Sequence, residues 1–142
     1  VHHGTGPLEE ELKKAAMNLP DNVEVRWMGN VDNSSIHDFY ASNPIDLFVL
    51  LSSTEGLPMS IMEAHSYGIP SICTNVGGVS EIINEKNGVL LRHDFNIDEL
   101  LSAITGMIHG EVVFDSNTIV SSWRLNFSLH NYSCFCDKIR TL

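Results

Sequence analysis

Five apolar side chains stand in an unbroken row at residues 47–51, inside the stretch "DLFVLLS". A strand with one wet face needs a polar residue at every second position, and this row has none. The run is of strand length, so it is expected to be a strand covered on both faces, as in a parallel sheet. The stretch "PSICTN" repeats the pattern some twenty residues later.

The segments between such runs read as helices. "GTGPLEEELKKAAMNLP" predicts a turn and then a helix over residues 7–18, with Pro7 at the first helical position. Its three opening glutamates and the later Lys13 and Lys14 suit the helix dipole. "NVEVRWM" alternates Val23, Val25 and Trp27 with Glu24 and Arg26, the pattern of a half-buried strand ended by Gly29. "NSSIHDFYAS" predicts a short helix capped by Ser or Asn. "GGVSEIINE" predicts a second short helix and "GVLL" a strand after the Asn87-Gly88 turn. "NIDELLSAITGMI" predicts a helix with Leu100, Leu101, Ile104 and Ile108 on one stripe. "GEVVF" is ambiguous. Residues 116–142 read as two helices broken near Asn126, the second capped by Ser128. Strand and helix alternate ahead of the tail helices, which predicts an α/β fold with a Rossmann-like, doubly wound parallel sheet. The length of 142 residues suits one domain with a real core. The missing initiator Met and the abrupt first strand suggest a fragment of a longer protein.

The formal charge of −10 argues against nucleic acid or an anionic membrane surface as a partner. It also means that a phosphate ligand would need backbone amides or basic residues from elsewhere. The three cysteines, an isolated Cys73 and the Cys134/Cys136 pair, fit reduced thiols in a cytosolic protein. They show no metal-ligand spacing. His2 and His3 adjoin a Gly-rich turn and read as strand-end residues rather than ligand contacts. "GTGP" lacks the third glycine of a dinucleotide fingerprint.

In doubly wound sheets ligands bind beyond the carboxyl ends of the strands. The longest polar loop at that edge is "SSTEGLPMS", which carries Glu55, and Glu63 follows eight positions later. Each has a bland reading. Ser60-x-x-Glu63 is a capping-box pattern, and Glu55 can be a solvated loop acid. Together they suggest more. Carboxylates accept two hydroxyl protons well, and the free N–H groups of the loop and helix start between them attract phosphate. Sugar, diphosphate and ribose would fit that order. Gly77-Gly78 lets the backbone approach a ligand closely, or simply forms a tight turn.

The central forty residues, "SSTEGLPMSIMEAHSYGIPSICTNVGGVSEIINEKNGVLL", closely resemble the carboxy-terminal domain of the family 4 retaining glycosyltransferases, the glycosyl transferase group 1 type with the GT-B fold. The pattern is Glu55-Gly56, Pro58, Glu63-Ala64, Gly68 and Pro70. The resemblance implies a single nucleotide-sugar donor-binding domain over residues 1–142, one half of a GT-B architecture whose first strand–helix unit would precede Val1. It implies that Glu55 holds donor-sugar hydroxyls at the catalytic centre and Glu63 holds the ribose. Gly56, Leu57, Pro58 and Met59 would meet sugar and phosphates, and Gly29 and Val31 would lie near the base. The donor would be a nucleoside diphosphate sugar, with no cofactor and no bound metal. The acceptor, a saccharide or lipid-linked, would sit on a separate amino-terminal domain, and the basic residues that neutralise the diphosphate would lie upstream. The fragment alone is expected to be inactive. The parent would be a hexosyltransferase-type enzyme of polysaccharide biosynthesis in the cytoplasm, with peripheral contact at the inner membrane face as an option. A non-catalytic nucleotide-sugar-binding or regulatory module is the alternative, and an epimerase of similar fold a more distant one.

Overall fold

Strands and helices alternate along the chain as the apolar pattern predicts, up to a final pair of helices. The structure is a computed structural model that describes residues 1–128. The order is β1 (His2–His3), α1 (Glu9–Ala16), β2 (Trp27–Gly29), α2 (Asn33–Ser42), β3 (Phe48–Leu50), α3 (Met59–Ser66), β4 (Ser71–Thr74), α4 (Val79–Ile82), β5 (Gly88–Leu91), α5 (Ile97–Ile108) and α6 (Ser116–Phe127). Among the described residues all three strand pairs are parallel, in two sheets, and the architecture is α/β. Two compact units divide the chain, Val1–Ser42 and a second from Asn43 onward.

In the first unit β1 pairs with β2. Alternation over residues 23–28 holds as far as Val25 and Trp27, which are half-buried while their neighbours are exposed. The ladder, however, covers only Trp27–Gly29, because its partner strand is two residues long. Helix α1 is shorter than the expected 7–18, with Pro7 and Leu8 in a turn before it. Lys13 pairs with Glu9 at 2.7 Å, one helical turn back. The cap of α2 is Asp32, not Ser or Asn. Its Oδ1 accepts from the backbone N–H of Ser35 at 2.8 Å and from the Ser34 hydroxyl at 2.6 Å.

In the second unit the strand order is β3-β4-β5. Val49 aligns with Ile72 and Val89, and Leu50 with Cys73 and Leu90. Successive side chains point to opposite faces, so these rows feed two cores. Phe48, Leu50, Cys73 and Leu90 pack with Ile61, Met62, Val79, Ile82 and Trp123, the side of α3, α4 and α6. Ile72, Val89 and Leu91 pack with Leu100, Ala103, Ile104 and Met107 of α5. Helices therefore cover both faces, the doubly wound arrangement.

Two expectations need correcting. β4 is buried at all four residues, but Val49 within β3 and Leu51 just after it remain 42% and 41% exposed. β3 is the edge strand of this sheet, and α5 lies against β5 at the opposite edge. The α5 stripe also differs. Leu101 and Ile108 are exposed, and the buried face is Leu100, Ala103, Ile104 and Met107. That set follows the i, i+3, i+4, i+7 spacing of a helix face.

Helix α6 starts at an Asp115 cap, whose Oδ2 accepts from the Thr118 N–H at 2.9 Å. It packs on α3. Gly68, at φ +75°, makes room for the start of α6, since a Cβ there would lie 2.8 Å from the Ser116 Cβ. The helix ends at Phe127, close to the expected break. Ser128 is extended and its hydroxyl donates to the Arg124 carbonyl at 2.6 Å. The second tail helix and the Cys134/Cys136 pair lie outside the described residues. "GEVVF" forms no strand. Among the described residues no helix is long and apolar enough to cross a membrane.

His65 on α3 is 2% exposed, with Nε2 3.1 Å from the Ser71 hydroxyl of β4. Burial pushes its pKa down to about 4. The native state thus holds the ring neutral, while the unfolded chain protonates it below its ordinary value. The resulting loss of stability begins as pH falls through about 6.5 and is complete below about 4, reaching roughly 3 kcal/mol. We expect the thermal midpoint of the wild type to drop more between pH 7 and pH 4.5 than that of His65→Gln. Equal drops in a melting series would show that His65 does not drive the acid sensitivity.

Candidate functional site

The carboxyl end of β3 leads straight into the loop that carries Glu55. Ser52 is the second residue past the strand. Its hydroxyl donates to Glu55 Oε1 at 2.5 Å. The Ser52 carbonyl accepts from the Thr74 hydroxyl, at the carboxyl end of β4, at 2.6 Å. The loop is thereby tied to the neighbouring strand, and Glu55 to the loop. Glu55 is half-buried, and its Oε2 has no hydrogen-bond partner among the described residues. Burial pushes the Cys73 thiol up to about 12; a backbone hydrogen bond at Leu50 opposes this and the Glu55 charge adds to it. That thiol is protonated and unreactive at neutral pH.

A second loop grips the first. Gly77, at φ +53°, sits so close that a Cβ would lie 1.9 Å from the Glu55 carbonyl oxygen. The Gly78 N–H donates to the Gly56 carbonyl at 2.8 Å. Where the sequence suggested a ligand or a simple tight turn, the backbone that the glycine pair approaches is the Glu55-Gly56 peptide.

The capping box at Ser60-x-x-Glu63 does not form. Helix α3 begins at Met59 with Pro58 as its N-cap and no side-chain cap bond. Pro58 is extended, at φ −73° and ψ 109°, which its ring favours. The helix therefore starts two residues earlier than a Ser60 cap would require. Glu63 falls at the fifth helical position, in the second turn rather than the first, and is half-buried. The same Ser-x-x-Glu spacing occurs at Ser52 and Glu55, and there the two side chains do bond. Sequence reading missed Ser52 and Thr74 as parts of this site; the repeated spacing was the available signal for Ser52.

Leu57 and Met59 are 47% and 63% exposed, Gly56 is exposed and Pro58 is buried. Glu55, Gly56, Leu57, Pro58, Met59 and Glu63 thus occupy one loop and the helix it enters. The first helical N–H groups of α3, left without a side-chain cap, suit an anion. Gly29 and Val31 belong to the first unit, at the carboxyl end of β2. Gly29 has φ +64°, and its carbonyl accepts from the Gly4 N–H at 2.7 Å. Among the cations of the second unit, Arg92 is engaged by Glu99 at 2.8 Å and Asp94 at 3.7 Å. Lys86 lines a groove along α6 with Asp115, Thr118 and Ser122. Among the described residues no group of three His, Cys, Asp or Glu could hold a metal ion.

The family described as "Glycosyl transferases group 1" matches residues 2–119. "O-antigen biosynthesis glycosyltransferase WbnH" of Escherichia coli is 40% identical over 90 residues, covering 63% of this chain and 24% of the relative. "UDP-Gal:alpha-D-GlcNAc-diphosphoundecaprenol alpha-1,3-galactosyltransferase" of Escherichia coli is 30% identical over 115 residues, covering 78% and 28%. The structure of "lipopolysaccharide outer core galactosyltransferase WaaB apo form" superimposes with a TM-score of 0.77 at 26% identity, over 98% of this chain and 39% of that one. The chain thus spans about a quarter of the length of the curated relatives it matches.

Proposed function

The chain belongs to the glycosyl transferases group 1 family, with a GT-B Rossmann-like half as its fold, and from that premise we propose that it binds the donor of a retaining glycosyltransferase. The donor is a nucleoside diphosphate sugar, and the intact enzyme transfers its sugar to a saccharide or lipid-linked acceptor. One observation carries the reading. At the carboxyl end of a parallel strand, Glu55 offers an open carboxylate oxygen beside the uncapped start of α3. Ligands of doubly wound sheets occupy that edge.

Glu55 accepts hydrogen bonds from donor-sugar hydroxyls and contacts the reacting sugar. The backbone of Gly56 to Met59 meets the diphosphate, and Glu63 accepts from the ribose hydroxyls. Gly29 and Val31 keep the base-side assignment that the family resemblance implies. Positive charge for the diphosphate comes, as the family resemblance implies, from basic residues upstream in the full-length protein. The acceptor binds a separate domain of the full-length protein, and the fragment alone transfers nothing. The parent works in the cytoplasm, against the inner membrane face where its acceptor is lipid-linked.

The test is calorimetric titration of the full-length enzyme with UDP-galactose, UDP-glucose, UDP-N-acetylglucosamine and GDP-mannose. Galactose comes first because two of the proteins above are named for its transfer. Radiolabelled transfer to saccharide and undecaprenyl-linked acceptors follows. Glu63→Ala should weaken the best donor and its free nucleoside diphosphate alike, by about tenfold, since the ribose is common to both. Wild-type affinity for both would remove Glu63 from the site. Tight binding without transfer to any acceptor would favour a non-catalytic module.

A further inference from the structure

We propose that Ser52 is a positioning residue for the Glu55 carboxylate, with Thr74 fixing Ser52 in turn. The proposal rests on the donor-site reading of Glu55. A glutamate on a loop has three side-chain torsions and samples many rotamers when nothing restrains it. Here a hydroxyl three residues earlier donates to Oε1 at 2.5 Å. A serine hydroxyl has one proton, and this one is committed to Oε1. Ser52 therefore cannot also donate to a sugar through that proton, and it acts through Glu55.

Ser52 is itself held from a distant part of the chain. Thr74, 3% exposed, gives its single hydroxyl proton to the Ser52 carbonyl at 2.6 Å across 22 residues of sequence. Each hydroxyl thus makes one directed bond, from the end of β4 to the end of β3 and from there to the loop acid. Oε1 keeps a further acceptor site and Oε2 keeps both of its own. The carboxylate is turned before any ligand arrives, so little reorganisation is needed when hydroxyls bind. The glycine pair holds the Glu55 backbone, and the two hydroxyls hold its side chain.

The experiment uses the full-length enzyme. Its probes are the sugar nucleotide of the above panel that the wild type binds tightest and the matching free diphosphate, UDP or GDP. Ser52→Ala should weaken the sugar nucleotide by about tenfold and leave the free diphosphate unchanged. Ser52→Thr keeps the hydroxyl and should recover most of the loss. Thr74→Val should show a smaller loss of the same kind, and Thr74→Ser none. In a Glu55→Ala background Ser52→Ala should add less than a twofold further change, because the group it positions is gone. The proposal is overturned if Ser52→Ala equals wild type while Glu55→Ala is impaired. It is also overturned if the Ser52 loss persists in full without Glu55, or if affinity for the free diphosphate and the thermal midpoint fall with it. If Glu55→Ala itself binds and transfers like wild type, the donor-site reading fails, and the positioning role falls with it.

Discussion

Glu55→Ala in the full-length enzyme is expected to lower sugar transfer by on the order of a thousandfold while leaving the thermal midpoint near that of wild type. The magnitude follows from the chemistry of the group. A carboxylate accepting from two sugar hydroxyls forms two charge-assisted bonds, each worth roughly 1.5–3 kcal/mol. Removing both leaves those sugar hydroxyls without their partners and should cost about two to four decades in rate. Stability should be spared because Glu55 is only half-buried and Ser52 can turn its hydroxyl to water. Glu55→Gln should fall between the two, since it keeps one acceptor oxygen and loses the charge. The check is initial-rate kinetics at saturating donor, paired with a melting curve for each variant. A Glu55→Ala rate within about twofold of wild type would be incompatible with contact to the reacting sugar.

Gly77→Ala should act on both fold and function. The new methyl would stand 1.9 Å from the Glu55 carbonyl oxygen and 2.8 Å from its carbon. Backbone atoms cannot swing aside as a side-chain tip can. The left-handed φ of +53° adds a penalty of about 1–2 kcal/mol for any residue with a Cβ. Together these effects should destabilise the protein by about 2–4 kcal/mol. Below the melting transition, transfer should still be largely lost, because relief of the clash moves the Glu55 peptide. Gly78→Ala gives a graded control. Its φ is an ordinary −85°, and its nearest obstacles are the Gly56 oxygen at 2.9 Å and a Leu57 methyl at 3.1 Å. It should be the milder of the two in melting and in rate. If Gly77→Ala matched wild type in both, the second loop would not be what holds Glu55 in place.

Much of this arrangement was legible in the residues. The element order came from apolar runs of strand length alternating with helical periodicity, and that signal is strong because each covered face demands it. Glu55 stood out because it follows such a run directly. Other features depended on partners that no local pattern names. The open side of β3 reflects which strands neighbour it, and a run such as residues 47–51 looks the same at an edge or a centre. The α5 stripe turned by part of a helical step because Ala103 and Met107, not Leu101 and Ile108, meet the sheet. The capping box failed because a proline one residue before α3 set the helix start instead. The bond it predicted formed at the other Ser-x-x-Glu, where a loop rather than a helix brings the side chains together. Thr74 left no local trace, since its partner lies 22 residues away.

The interlocked turns after β3 and β4 also set the smallest portable piece of this site. Two peptides that meet with no room for a methyl cannot be exchanged one at a time. A chimera that imports a relative's Glu55 loop to change sugar preference must bring that relative's Gly77-Gly78 turn as well, and the hydroxyl at Thr74. In this protein the modular unit runs from Ser52 to Gly78, with α3 and β4 carried inside it.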